Sequence, residues 1–326
     1  MTLTDNIQSA FLDQVKRRLA PNLSMADELS DILNISRDSA YRRIRGETIL
    51  SLDEVKTLCN RFGVSVDSLL SPSNEMVSFH YRVVDSKHFT FDKWLKSVLH
   101  NLEMLVPFTD KQLIYFAKDI PVFYYFNSPL MGPFKMFFWM NSVLKEEDYQ
   151  DVPFSPDLIP KELVTLGEKI WRRYTETPRI EIWSEETLNV TLRQIEFYHE
   201  CGFFANPQHA AQLCDEYILL VREIRSWATL GYRDKPENKF HLYKNDLLIA
   251  DNTILFRMGD KRVTFIPYNT MNILTTSQEP FCKQTEDYLV NLINKSVLIS
   301  TTGEKERAKF FNQMEQKIIQ LKNRIV

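Results

Sequence analysis

Glycine is scarce in this 326-residue chain: there are eight, every one isolated in the sequence. No glycine-rich loop can therefore cradle a phosphate, and no dinucleotide-binding fingerprint is present. Nor is there a nucleophile elbow or a zinc-protease helix motif. The expectation is a protein that is not an enzyme and carries no cofactor. The four cysteines (Cys59, Cys201, Cys214 and Cys282) form no paired framework. No basic-then-apolar leader opens the chain, because Asp5 and Asp13 interrupt it, so reduced thiols and a cytoplasmic location are expected. Long hydrophobic runs are missing too. The most apolar region, Ile120–Leu144, is broken by Pro121, Pro129 and Pro133 and carries Lys135, which argues against a membrane span. Charge of one sign is lacking, with 40 Lys and Arg against 43 Asp and Glu. The chain shows no internal repeat and no low-complexity tract. His199, Glu200, Cys201, His209 and Cys214 are residue types that ligate zinc, but their spacing matches no standard finger. The expectation is no metal, with Cys201 and Cys214 as buried small hydrophobes.

Apolar residues make up 44% of the chain, enough for a sizeable core and two domains. Residues 23–70 hold the clearest signal. Met25, Leu29, Ile32 and Leu33 fall on one helical face, with Asp27, Glu28 and Asp31 outside it. Asn34 suits a left-handed helix stop, and Ile35 is placed to pack the turn. Ser36 is a good N-cap for the next helix, Arg37–Arg45, which is expected to bury Ala40, Ile44 and part of Tyr41. Arg37, Asp38, Ser39, Arg42 and Arg43 are expected to face outward, and Gly46 closes the helix. Ser51 and Glu54 form a capping box for a helix whose apolar face reads Leu52, Val55, Leu58, Cys59 and Phe62, ending at Gly63. A last turn is expected over Val66–Leu70. Residues 1–70 hold nine Lys or Arg and ten Asp or Glu, so no bulk basic field surrounds them. The basic charge is local: four arginines stand against Asp38 alone within Arg37–Arg45. Lys16, Arg17 and Arg18 add a second basic edge.

This segment resembles the phage-repressor (Cro/Xre-type) helix-turn-helix family over about residues 5–70. The resemblance rests mainly on ISRDSAYRRIRGE and NRFGVSVDSLL. It departs from the family where Asn34 stands at the turn position usually held by glycine. The resemblance implies that the helix after the turn enters the major groove while the one before it crosses the backbone. It also implies that Ser36, Arg37, Asp38 and Ser39 lie nearest the bases, and that Arg42, Arg43 and Arg45 meet bases or phosphates.

Ser71-Pro72-Ser73-Asn74-Glu75 reads as a stiff linker, 71–76, between a domain over 1–70 and a second over 77–302. The fold class expected is multidomain: an all-α helix-turn-helix domain followed by an α+β domain. In the second domain, Val77, Phe79, Tyr81 and Val83 alternate as a strand. Helices are expected over Phe91–Val106, Pro133–Leu144, Pro160–Tyr174, from Ser184 to Gly202, and from Asn206 to Gly231. Strands are expected over Gln112–Ala117 and Arg179–Trp183. An antiparallel meander is expected over Phe240–Tyr243, Leu247–Ala250, Thr253–Met258 and Arg262–Ile266. A helix near Thr285–Asn294 and a strand Val297–Ser300 follow. On architecture alone this arrangement resembles GAF or PAS sensor domains. The aromatic stretch Tyr115–Trp139 reads as core, with a ligand pocket for an unknown small-molecule effector as the alternative.

After Gly303, residues 303–326 form an amphipathic helix with Phe311, Met314, Ile318, Leu321 and Ile325 on one seam. The seam has two readings: packing on its own domain, or completing a homodimer of the kind that places two readers on two half-sites. The function expected is a transcription regulator bound to double-stranded DNA. Its rivals are a protein-interaction scaffold built on the same helices and an enzyme carrying an appended DNA-binding domain.

Overall fold

The computed structural model describes residues 7–19, 23–64, 66, 76–84, 88–246 and 252–326. Contacts divide the chain into two compact units, residues 1–80 with 276–281 and residues 81–275 with 282–326. The expected turn Val66–Leu70, the linker 71–76 and the strand Leu247–Ala250 lie outside the described residues, apart from Val66 and Met76.

The first unit holds four described helices: α1 (Ile7–Arg18), α2 (Met25–Leu33), α3 (Arg37–Ile44) and α4 (Leu52–Phe62). Their apolar stripes meet in a core of Phe11, Leu12, Val15, Leu29, Ala40, Leu50 and Leu58. Gln8 ties the connection after α3 to α1. Its Nε2 donates to the carbonyls of Arg43 and Thr48 at 2.9 and 2.8 Å, and its Oε1 accepts from Leu50 N–H at 2.8 Å. The helix over Arg37–Arg45 ends one residue earlier than the sequence indicates, with Arg45 as its cap. Leu52 does not join the apolar face of α4; it is 88% exposed. Ser51 is the N-cap, so Leu52 takes the first helical position and points away from the stripe formed one turn later.

The second unit is built on a mixed sheet. Of the strand expected over 77–83, only β1 (His80–Tyr81) forms, at the sheet's edge, and its alternation is not realised as burial. The remaining strands are β2 (Lys111–Phe116), β3 (Arg179–Trp183), β4 (Phe240–Lys244), β5 (Thr253–Met258), β6 (Lys261–Tyr268), β7 (Asn272–Thr276) and β8 (Val297–Leu298), in the spatial order β1-β7-β6-β5-β2-β3-β4-β8. β2, β3 and β4 are parallel, while β5 runs antiparallel to β2 and to β6. The expected meander is thus split: β4 leaves it and pairs with β3, on the far side of β2 from β5. Parallel neighbours require long crossovers. After α5 (Phe91–Glu103), which precedes β2, these are helical: α6 (Met131–Phe138) and α7 (Lys161–Glu176) lead from β2 to β3, and α8 (Asn189–Glu200) and α9 (Gln208–Leu230) from β3 to β4. α6 continues as a π-helical turn over Trp139–Val143, and the helix expected from Ser184 begins only at Asn189.

Strand periodicity sorts the two faces. Leu113, Tyr115 and Trp183 join the core under the crossover helices, whereas Ile114, Phe116, Ile182 and Leu255 pack against Leu289 and Leu292 of α10 (Glu279–Asn294). The aromatic stretch is core: Tyr124, Tyr125, Phe126, Phe134, Phe137 and Trp139 are all buried. α11 (Glu304–Ile325) lies along α9, its Phe310, Phe311, Met314, Ile318 and Leu321 buried within this unit. Arg222–Glu315 (2.9 Å) and Lys322–Asp215 (2.6 Å) rim the contact. The seam is therefore consumed inside the chain and is not left to complete a dimer. Among the described residues, no helix is long and apolar enough to cross a membrane.

Candidate nucleic-acid interface

Asn34 adopts the left-handed conformation (φ 51°) and stops α2, and its N–H donates to the Ser30 carbonyl. The Ser30 hydroxyl donates to the Ile35 carbonyl at 2.6 Å, so the turn is closed by its own side chains. Ser36 then caps α3: its Oγ accepts from Ser39 N–H at 3.2 Å and bonds the Ser39 hydroxyl at 2.9 Å. With Ala40 fully buried, positions 37, 38, 41, 42 and 45 are turned to solvent on one side of the helix. Of the expected contact residues, Ser36, Arg37, Asp38, Arg42 and Arg45 share this exposed side, and Ser39 is half-buried at its margin. Lys16, Arg17 and Arg18 are exposed at the end of α1.

Arg43 is not outward. Its side chain is only 16% exposed and its guanidinium donates to Glu54 Oε1 at 2.8 and 3.1 Å and to the Ser39 carbonyl at 3.2 Å. Glu54 is used at both ends, since its Oε2 also accepts from Ser51 N–H at 2.8 Å to complete the capping box of α4. Burial alone pushes the Glu54 carboxyl up, but the hydrogen bonds from Arg43 and Ser51 outweigh it and hold the group below its ordinary value. Arg43 thus braces α3 against α4. The row of arginines read along the sequence is divided by helical geometry into three outward and one inward.

Each outward arginine meets a carboxylate. Arg37 Nε lies 2.8 Å from Asp27 Oδ1 on α2, with Nη2 3.3 Å from Oδ2, and its guanidinium sits 6.0 Å from the Tyr41 ring centre. Arg42 Nε lies 3.1 Å from Asp38 Oδ2, one turn back. Arg45 makes a two-point contact with Glu47, at 2.7 and 3.0 Å, and its hydrogen bond holds the Glu47 carboxyl below its ordinary value. Beyond Glu47, Ile49 is 83% exposed. Its exposure carried no signal in the sequence, whereas Ser51 as N-cap is the signal that sets Leu52 outside the core.

The other polar clusters are in the second unit. Arg179 and Glu181 are both fully buried on β3, 3.0 Å apart, and Glu181 also accepts from the hydroxyls of Tyr124 and Tyr174. Lys135 is buried on α6, donating to Thr191 Oγ1 (3.0 Å) and Gln194 Oε1 (2.6 Å); burial pushes its ammonium down to about 8. Of the residues with zinc-ligand chemistry, Cys214 is buried and Cys201 is exposed rather than buried, and His209 packs edge-on to Phe154. No group of three or more potential metal ligands is found among the described residues.

Residues 5–81 match the family model of the BetR domain, a helix-turn-helix-type DNA-binding domain. No curated protein and no solved structure matches the chain.

Proposed function

We propose that the chain is a sequence-specific regulator of transcription. Residues 5–70 serve as a phage-repressor-type (Cro/Xre-like) reader of double-stranded DNA, and the larger unit carries regulation or self-association. The observation that carries this reading is the exposed side of α3, where Arg37, Asp38, Arg42 and Arg45 lie together beyond a closed turn from α2. A helix presented in this way fits the major groove, with its first residues against base edges and the preceding helix across the backbone. The BetR-domain match over the same residues supports it. Arg43 takes a bracing role in this reading, and contact with DNA falls to the other arginines.

The larger unit is taken to carry regulation rather than catalysis; Arg179, Glu181 and Lys135 are among its residues buried in the core. The site of action is taken to be the cytoplasm, and the working form a homodimer. A symmetric pair of readers spans two half-sites, where one reader alone gains little affinity. An effector bound to the larger unit acts only through different affinities for the DNA-bound and free forms. The test is selection of bound duplexes in vitro with the full chain, followed by titration at several salt concentrations. Enrichment of one motif with salt-dependent affinity is expected. Unchanged binding after replacing Arg37, Arg42 and Arg45 together with alanine would remove the groove-helix assignment.

A further inference from the structure

The exposed side of α3 is basic in sequence but neutral in space. Arg37, Arg42 and Arg45 are matched by Asp27, Asp38 and Glu47, which come from α2, from α3 itself and from the turn after α3. All six side chains are at least half exposed, the arginines at 61, 58 and 55% and the carboxylates at 51, 72 and 51%. None of the three pairs braces the fold as Arg43–Glu54 does at 16 and 18% exposure. With no bulk basic charge in residues 1–70, these pairs set the charge that approaching DNA meets on α3.

Resting on the DNA-binding reading above, we propose that Asp27, Asp38 and Glu47 are specificity-determining residues. They form a carboxylate screen that holds the three reading arginines on the protein until a matching site displaces it. An arbitrary duplex offers phosphates, which the three carboxylates repel. A matching site adds base-edge acceptors, to which each freed guanidinium can make a two-point contact. The screen therefore weakens binding to arbitrary DNA more than binding to the correct site, and discrimination rises at the expense of affinity. Because exposed pairs of this kind are individually weak, the matching site can open them.

The experiment uses the full chain, the duplex enriched by selection and a scrambled duplex, with affinities measured over a potassium chloride series. The variants are Asp27→Asn, Asp38→Asn, Glu47→Gln and their combination. Asp31→Asn is the charge-matched control, since Asp31 is exposed on α2 and lies outside the three pairs. Each carboxamide should tighten the scrambled duplex by roughly two- to fivefold. The combination should tighten it by at least about tenfold, with a smaller gain on the enriched duplex, so the ratio between the two falls. The slope of log affinity against log salt should steepen by up to about 0.9 per carboxylate removed. Glu47→Asp keeps the charge while shortening the two-point contact, and it should preserve the ratio. A combined variant that binds the scrambled duplex no more tightly than the wild type overturns the screen, as does a gain that Asp31→Asn reproduces. A wild-type chain that enriches no sequence and binds without salt dependence removes the DNA-binding reading itself, a different result from either.

Discussion

At the scale of single residues, burial decides what a charged side chain does. Lys135 illustrates it in the second unit. Its ammonium is held to neutral acceptors and the ring of Tyr125, 4.9 Å away, and forms no ion pair among the described residues. Depression from 10.5 to about 8 holds roughly 3 kcal/mol against the charged form. Below pH 8 the lysine is charged in both states and the whole penalty acts. Between about 8 and 10.5 the folded chain has released the proton while the unfolded chain keeps it, so stability from this group rises with pH and levels off above 10.5. Lys135→Met should therefore be more stable than the wild type near pH 7, by about 1–2 kcal/mol after the lost hydrogen bonds are allowed for. Its advantage should shrink as pH climbs through that window, as read by denaturant melts at matched pH. Arg37 and Arg43 should behave in opposite ways. Arg37→Ala should leave the reader folded and cost about 1–3 kcal/mol in DNA affinity, relaxing preference at one base pair. Arg43→Ala strands Glu54 half-buried and should cost about 1–3 kcal/mol of stability, visible in thermal melts without DNA.

At the scale of elements, the helix caps were legible and the partners were not. Ser36, Ser51 and Asn34 act within a few residues of themselves, so their roles follow from local chemistry. The seam of α11 was equally clear as a pattern, but a periodic apolar face does not say what covers it. Here α9 covers it, so Met314→Glu with Leu321→Glu inserts two charges into a closed contact. The expected outcome is loss of several kcal/mol and unfolding of the larger unit in circular dichroism, not a clean change of oligomeric state. β3 is a second case. The sequence marked it as a strand without saying what would face its charged residues; Arg179 and Glu181 are fully buried, because parallel neighbours and helices enclose the strand on both sides. Removing one member should cost about 3–5 kcal/mol, whereas Arg179→Met with Glu181→Leu should cost less than either alone, since no unpaired charge remains. Chemical denaturation of the three variants checks the ordering.

At the scale of the whole molecule, the proposed function requires two readers on one duplex. Light scattering on the full chain should report a dimer, and the enriched DNA should contain two half-sites about one helical turn or a multiple apart. A monomer at tens of micromolar that also enriches a single half-site would show that the larger unit does not pair the readers. With α11 committed to its own chain, self-association must use another surface.

The sequence by itself determined the first unit closely. Caps, a left-handed stop and a stripe of period 3.6 all act over a few residues, and a short helical domain has little else to specify. It also determined most helices and several strands of the second unit. Tertiary structure alone decided which neighbours those elements took. β4 paired with β3 instead of β5 and α11 closed on α9, because strand order and helix docking depend on contacts far apart in the chain. It also decided the charge of the reading face. Asp27 and Glu47 lie ten and two residues from the arginines they hold, and only the folded turn and the helix crossing bring each carboxylate to its guanidinium.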